Sequence, residues 1–272
     1  MVVIAIAASV VVWFRASQSA EAVPQDRLGP VLLVPGRTAD SVALVALQKR
    51  LFLTGRRAVI VSIGTDNSGD LRDQARQLKE TAADLIEGGA PSVDVVGFAA
   101  GGLVTRLWLA DGGADVTRRV VTIGTPNQGV TSRAQLANLV TTRFCKTTCP
   151  QLTAGSDLLA GLPDKAAAGR APWTNVWTKW DKTVSVTSAN LPGAMNVSLQ
   201  SVCAHNRELP SETTAHDDLP SDPLTIGIVL KSLSTTSLTT PPTKADCKTL
   251  RRNGAPDPLP NTPATPTPTP KP

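Results

Sequence analysis

The residues most suggestive of chemistry lie in GFAAG at positions 97–101, between a strand-like apolar run and a helix-compatible segment. A strand, a sharp turn and a helix form the nucleophile elbow of the G-x-S-x-G motif, in which a strained turn exposes a serine hydroxyl. Here Gly97 and Gly101 occupy the two glycine positions, and Ala99 occupies the serine position. Because alanine has no side-chain oxygen, the sequence predicts an elbow without its nucleophile.

Two side chains later in the chain could act with this elbow. Asp181 follows a strand candidate at residues 175–178, and His216 lies in a late loop before the last helix candidate. A carboxylate can hold a histidine in the tautomer that accepts a proton, and nucleophile, acid and histidine in this order form a known catalytic arrangement. A lone aspartate or histidine in a loop is usually a surface residue. The agreement of order, spacing and loop placement at three positions favours a site.

Other hydroxyl groups are poorly placed to replace a serine at position 99. Ser92 precedes the elbow strand, Ser185 and Ser188 follow the acid loop, and Thr105 lies about a turn and a half into the helix. None is predicted at the tip of a sharp turn beside a base, where an activated nucleophile belongs. The sequence therefore favours loss of the covalent step over its transfer to another residue.

The elements that must position these residues predict an α/β fold. Strands that alternate with helices at this spacing indicate βαβ units and a mostly parallel sheet with helices on both faces. Apolar runs predict buried strands at 31–34, 58–63, 93–96 and 119–123, and helices between them at 40–54, 70–87 and 100–110. After an irregular excursion over 130–170, strands are expected at 175–178 and 196–200 and a last helix at 223–233.

Length and composition predict one domain, which we place at residues 28–238 and expect to be a monomer. The chain has 272 residues, and without its ends about 220 remain, enough for one sizeable core. The formal net charge is +5, but no basic run is interleaved with aromatic residues, which argues against nucleic-acid binding. No C-x-x-C motif occurs and His205 follows Cys203 too closely for both to bind one metal, so no metal or other cofactor is expected.

The two ends differ from this domain. Residues 1–14 are apolar but too short for a comfortable membrane span, and a small-x-small cleavage site follows at 20–22. Residues 1–22 are therefore predicted to be a signal peptide or an N-terminal anchor. Because no basic segment precedes the block and Arg15 follows it, either the true start lies upstream or the block is an uncleaved anchor. Residues 239–272 are rich in proline and threonine, which predicts a disordered tail. We expect a protein that is secreted or associated with the cell envelope.

The four cysteines fit an exported protein, because an even number in such a chain usually forms disulfides. Cys145 and Cys149 are separated by three residues, a spacing suited to a small closed loop. This leaves Cys203 and Cys247 as the second pair, which would connect the start of the tail to the sheet.

Several segments together are more specific than the elbow alone. They are VLLVPG at 31–36, VDVVGFAAGGLVTRLWL at 93–109, VVTIGTPNQGV at 120–130, CPQLTAGSDLL at 149–159, WDKTV at 180–184, GAMNVSLQSVC at 193–203 and HDDLPSDP at 216–223. With these segments the sequence resembles the secreted bacterial lipases and esterases of the α/β-hydrolase fold, specifically the small actinobacterial and Bacillus-type lipases. The resemblance covers nearly all of residues 30–233.

The resemblance implies a role for each candidate residue. It makes Asp181 the acid that orients the imidazole, and His216 the base. It implies an oxyanion hole formed by the backbone N–H of Ala100 and one N–H from Gly36-Arg37, and such backbone donors are retained when side chains diverge. It also implies a lipid or ester ligand and no cofactor.

The departures from the family's pattern cluster around the same site. Ala99 replaces the serine, and Phe98 stands where the family usually has histidine or tyrosine. In the T-P-H-x-G-T segment, Asn127 replaces a histidine and Val130 replaces a threonine. A single change would suit an engineered knock-out, whereas several suit either drift after loss of turnover or ordinary family variation.

Three hypotheses follow. In the first, the chain is a lipase-like domain that keeps the fold and an apolar acyl-binding cleft but not the covalent chemistry. In the second, it is an active lipase or esterase, either through an unrecognised nucleophile or because Ala99 is an engineered change in an active parent. In the third, it is an envelope-associated structural or acyl-chain-binding protein in which the tail matters. The missing hydroxyl at position 99 favours the first.

Overall fold

The computed structural model describes residues 23–36, 40–63, 69–139, 145–163, 166, 171–203, 215–236 and 238–256. The predicted signal peptide or anchor at 1–22 lies outside the described residues, and so do residues 257–272 of the predicted tail. Within the described ranges we find no helix with the length and apolar character needed to span a bilayer.

Strands and helices alternate in the first half of the chain and become irregular in the second. The strands are β1 (Val31–Val34), β2 (Ala58–Ile60), β3 (Val93–Phe98), β4 (Thr117–Ile123), β5 (Trp173–Trp177) and β6 (Met195–Ser198). The helices are α1 (Asp40–Leu53), α2 (Leu71–Glu87), α3 (Gly101–Ala110), α4 (Arg133–Leu139), α5 (Cys145–Leu152), α6 (Asp157–Ala160), α7 (Val186–Ala189), α8 (Leu199–Val202), α9 (Ala215–Asp218), α10 (Pro223–Leu233) and α11 (Cys247–Gly254). Short 3₁₀ turns occupy Gly113–Asp115 and Lys244–Asp246.

The strands form one sheet in the order β2-β1-β3-β4-β5-β6, and each neighbouring pair is parallel. The chain runs outward from β1 to β2 and then back past β1 to β3. With right-handed crossovers, α1 therefore lies on one face and α2 and α3 on the other. The contacts agree, because α2 packs on α3 whereas α1 contacts α10. The predicted parallel sheet with helices on both faces is confirmed.

Burial distinguishes the central strands from β2. β1, β3 and β4 are buried along their whole length, as strands covered on both faces must be. β2 lies at one edge of this sheet, and its residues are only half-buried. It ends at Ile60, so the predicted strand over 58–63 is three residues too long.

The connections of β1 and β3 leave the sheet in opposite directions, to β2 and to β4 respectively. Such a switch point opens a crevice outside the carboxyl ends of the strands, where ligands of open α/β sheets bind. Gly36 follows β1 and Ala99 follows β3 at this edge. A Cβ atom placed on Gly36 would lie 3.1 Å from the Cβ atom of Ala99, so the two loops are in contact.

A buried cluster of charges joins the opposite, amino edge of the sheet to the end of α10. The Oδ2 atom of Asp94 accepts hydrogen bonds from Arg56 at 2.6 Å and from Arg118 at 2.5 Å. Arg118 also donates to the carbonyl oxygen of Leu233, and Arg119 donates to further carbonyls of this helix end. Burial, followed by the charge of Arg118, lowers the pKa of Arg119, whereas Asp94 raises it. Carbonyl groups at a helix C-terminus carry partial negative charge and therefore suit guanidinium donors.

The structure corrects the predicted start of the tail at residue 239. The 3₁₀ turn and α11 lie within that segment, and α11 packs closely on α10. A Cβ atom on Gly227 of α10 would lie 1.9 Å from the carbonyl oxygen of Leu250, and one on Gly254 would clash with the backbone of α10 in the same way. Glycine at these two positions therefore allows the two helix backbones to touch.

Both predicted disulfides, Cys145–Cys149 and Cys203–Cys247, are present in the structure. The first closes a single turn of α5. The second links the residue after α8 to the first residue of α11, so that it fixes the C-terminal helix to the domain.

Candidate active site

Ala99 forms the turn between β3 and α3 in a left-handed backbone conformation. Its φ is +51°, and it is the one residue other than glycine with positive φ in the described part of the chain. Its N–H donates to the carbonyl oxygen of Ile123 at 3.0 Å, which anchors the turn to β4. The prediction of positive φ at this position is confirmed. A left-handed conformation costs a residue with a Cβ atom about 1–2 kcal/mol, so the surrounding structure maintains this strain.

Glycine at 97 and 101 lets the elbow pack without clashes. A Cβ atom on Gly97 would lie 2.7 Å from the Cα atom of Gly102. One on Gly101 would lie 2.1 Å from the carbonyl oxygen of Val34 in β1. Both distances are shorter than van der Waals contact, so these glycines are required by the packing of α3 against the sheet whatever residue stands at position 99.

Asp181 and His216 form a buried, hydrogen-bonded pair. The Nδ1 atom of His216 lies 2.6 Å from the Oδ2 atom of Asp181, and the side chains are 5% and 1% exposed. The Oδ1 atom of Asp181 accepts from the N–H groups of Thr183 at 2.8 Å and Val184 at 2.7 Å. With the carboxylate held on both oxygens and the imidazole held at Nδ1, Nε2 is the ring nitrogen left to exchange a proton with a ligand.

The imidazole of His216 lies at the carboxyl ends of β3 and β4. The ring of Phe98 packs against it with 5.2 Å between the centroids. A Cβ atom on Gly124, which follows β4 with φ of +53°, would lie 3.3 Å from the Nδ1 and Cε1 atoms of His216. His216 therefore contacts Phe98, the residue immediately before Ala99, although the two lie 118 positions apart in the chain.

The predicted oxyanion-hole residues lie beside the elbow where the structure describes them. Ala100 precedes the first residue of α3, so its N–H has no acceptor within the helix. A Cβ atom on Gly36 would lie 2.7 Å from the nitrogen of Ala100, which brings the two loops together. Arg37 lies outside the described residues. The oxyanion role of these backbone groups stays a prediction.

Three side chains at positions where the sequence departs from the lipases it resembles are buried. Phe98, Asn127 and Val130 are each at most 2% exposed. The Nδ2 atom of Asn127 donates to the carbonyl oxygen of Ala189 at 2.8 Å, and at 3.3 Å to the Oδ1 atom of Asn175 on β5. Asn127 is therefore hydrogen-bonded to β5 and to the last residue of α7.

Two features of the site escape simple motif reading. The N–H groups of Thr183 and Val184 hold the carboxylate of Asp181. The sequence signal for this contact is an Asx turn, in which an aspartate accepts from the N–H of the second residue after it. Arg106 of α3 donates to the carbonyl oxygens of Asn127 at 2.7 Å and Pro163 at 2.8 Å. It ties the elbow helix to the loops around the site, and no local pattern marks it.

Among the described residues, no group of three or more histidine, cysteine, aspartate or glutamate side chains is arranged so that it could hold a metal ion.

Solved structures with a similar fold include lipases. Aspergillus fumigatus lipase B superposes with a TM-score of 0.61 at 18% sequence identity, over 84% of this chain and 61% of that lipase. Bacillus licheniformis lipase BlEst2 in its propeptide form gives a TM-score of 0.50 at 15% identity, over 82% of this chain and 53% of that one. No protein-family model and no curated protein sequence matches the chain.

At these identities the likeness establishes the fold alone. The chain has an α/β-hydrolase fold, built on one open parallel sheet. It spans 61% of the length of the Aspergillus lipase and 53% of the Bacillus one.

Proposed function

We propose that this protein is a lipase-like α/β-hydrolase domain that binds an ester or acyl ligand and has lost covalent turnover because Ala99 occupies the nucleophile's position. The observation that carries the proposal is the left-handed backbone of Ala99, with φ of +51°, at a turn whose neighbour Phe98 contacts His216. In hydrolases, a strained turn of this kind holds the nucleophile near a buried acid–histidine pair such as Asp181–His216.

Each remaining part has a defined chemical role. His216, held by Asp181 in the tautomer that leaves Nε2 free, would accept the proton of an attacking hydroxyl and return it to the leaving alcohol. The N–H of Ala100 would donate to the oxyanion of a tetrahedral intermediate. Without a hydroxyl at position 99 no acyl-enzyme forms. Loss of a triad serine in another hydrolase lowers kcat on the order of 10⁶-fold.

A pair of measurements on the purified full chain tests the proposal. Hydrolysis of short-chain p-nitrophenyl esters should be indistinguishable from background, whereas a fluorescent fatty acid should bind saturably. Ester turnover by the unaltered chain would contradict the lost covalent step. Absence of both turnover and binding, with envelope retention that depends on residues 257–272, would instead support a structural role in the envelope.

The second candidate function is an active esterase from which this chain differs by an engineered change. The intact Asp181–His216 hydrogen bond and the maintained strain at Ala99 favour it, because both would be expected to decay once turnover was lost. The burial of Phe98, Asn127 and Val130 in place of the family's polar residues favours natural loss. The codon for residue 99 in the native gene distinguishes the two.

A further inference from the structure

Helix α1 is apolar on two opposite faces. Leu44, Leu47 and Leu51 are buried against the sheet. On the opposite side, a stripe of exposed apolar side chains runs along the helix, and Val42 and Phe52 in it are 78% and 74% exposed. We call this surface the α1 stripe; it consists of Val42, Val45, Phe52 and Leu53. Exposed apolar side chains grouped in this way mark a contact surface more often than isolated ones do.

The α1 stripe borders a shallow depression of about 660 Å³ beside the edge strand β2. The side chains that line it include Val45, Lys49, Phe52, Arg57 and Ala58. Lys49 and Phe52 lie within one turn of the helix, so the ammonium group of Lys49 borders the apolar side chains of the stripe. This depression is near the amino edge of the sheet, whereas the Asp181–His216 pair is at the carboxyl edge.

The exposed charged side chains of residues 41–63 are all basic. Residues 41–63 contain four basic residues and no aspartate or glutamate, and among them Lys49 and Arg57 are exposed. Arg50 donates to the carbonyl oxygen of Asn253 at 2.8 Å, which places α11 and its exposed Arg252 next to this end of α1. The carboxylate of Asp84 lines the adjoining depression, together with residues 88–91.

We propose that the α1 stripe and its basic rim of Lys49, Arg57 and Arg252 dock the protein on an anionic lipid surface. Helices that lie in a membrane interface combine exposed apolar side chains with lysine and arginine, whose long stems let the charge reach the headgroups. A second copy of this chain fits the surface less well. A two-fold contact through the stripe would bring the basic rims of both copies into one interface, and their like charges oppose such pairing.

The test is binding of the full chain to vesicles, measured by co-sedimentation with equal parts phosphatidylglycerol and phosphatidylcholine or with phosphatidylcholine alone. We expect clear binding to the first and weak binding to the second, with loss at high salt because the screening length is about 3 Å at 1 M. Phe52→Ser should weaken binding about tenfold, since an aromatic side chain loses its apolar contact. No ester turnover is measured, so the result is independent of the proposed function.

Matched variants distinguish binding through the α1 stripe from non-specific binding to vesicles. Val42→Ser should weaken binding more than Val186→Ser, the same substitution at an exposed valine of α7. Lys49→Glu should weaken vesicle binding more than Lys146→Glu on α5, although both substitutions change the net charge equally. Each cation near an anionic surface raises the binding constant about fivefold. Residues 1–14 are common to all variants, so any contribution that they make to vesicle binding is the same in each. Circular dichroism and Tm should match those of the parent, because all four side chains are exposed.

Equal binding by the parent, Phe52→Ser and Lys49→Glu would overturn the proposal. Equal binding to both vesicle compositions would do the same, since it would remove the role of the basic rim. Light scattering without vesicles provides the remaining outcome: a dimer that Phe52→Ser converts to monomer, with vesicle binding unchanged, would assign the α1 stripe to a second copy and overturn docking on lipid.

Discussion

The aromatic ring of Phe98 packs on the imidazole of His216 with 5.2 Å between their centroids and 30° between their planes. A phenyl ring in this position supports the imidazole by packing but offers no hydrogen bond. The residue before the elbow thus holds the base in place by contact, while Asp181 fixes its orientation through Nδ1. This arrangement predicts how the site responds when a nucleophile is supplied.

Ala99→Ser should confer ester hydrolysis that the parent lacks. The hydroxyl would be added at a turn that is buried but already has the required backbone conformation, and Asp181 orients the base of the site. We expect a gain of about 10⁴ in kcat/KM, because a triad serine is worth on the order of 10⁶ and imperfect placement by Phe98 and Asn127 costs about 10². The measurement is p-nitrophenyl butyrate hydrolysis by both forms.

The control for this gain is Ala99→Ser/His216→Ala, which should return to the parent's rate. A folded Ala99→Ser protein without any gain would remove the main support for Asp181 and His216 as a surviving catalytic pair.

Backbone strain at Ala99 predicts a contrast between two neighbouring substitutions. Ala99 has φ of +51°, whereas Ala100 has φ of −61°, and both side chains are 2% exposed. Replacement by glycine removes the same methyl group and adds the same unfolded-state entropy at both positions. Only Ala99→Gly also relieves strain, so it should be more stable than Ala100→Gly by about 1–2 kcal/mol. Urea unfolding of both variants checks this difference, and equal stabilities would contradict it.

The charge cluster at the amino edge predicts a large cost for Asp94→Asn. This change leaves Arg56 and Arg118 buried without their shared carboxylate, and uncompensated buried charges destabilise by about 3–5 kcal/mol. The matched change Asp73→Asn breaks an exposed pair with Arg76 and should cost less than about 1 kcal/mol. Thermal and urea unfolding provide the comparison. Similar values for the two variants would show that the buried cluster does not support the fold.

The two disulfides should differ in their contribution to stability. Cys203–Cys247 closes a loop with a sequence separation of 44, whereas the separation for Cys145–Cys149 is 4. In the chain-entropy model the longer loop contributes about 4 kcal/mol and the shorter about 2. Paired serine substitutions of each disulfide should therefore rank in that order by urea unfolding. Four free thiols in the non-reduced parent, detected by intact mass, would contradict both bridges.

The parts of the fold that could be predicted from sequence are those with a local pattern. α2 was predicted over 70–87 and forms over Leu71–Glu87, because its apolar residues step by three and four and Asp70 caps its first turn by accepting from the N–H of Arg72. β3 and the turn at Ala99 were predicted because an apolar run meets glycines at fixed spacing. The spacing and order of Asp181 and His216 were readable, but their 2.6 Å contact was not.

The parts that were missed depend on contacts between distant residues. The segment that forms α11 was assigned to the tail on the composition of residues 239–272. Only Leu250 and Gly254 of this helix are buried, too few to give an apolar period. Its docking on α10 depends on a glycine at 227, which looks unremarkable in the sequence. Likewise, the charges of Asp94 and Arg118 predict exposure unless their partners are known, and those partners come from other elements.

Arg118 and its acceptor Leu233 are separated by 115 positions, and this sets the order in which the domain can be completed. A chain emerges from the ribosome amino end first, so β3 and β4 are available long before the carbonyl groups that end α10. Until then the guanidinium groups of β4 must stay hydrated, and the amino edge of the nascent sheet stays open. The domain therefore cannot reach its native state before α10 has been synthesised.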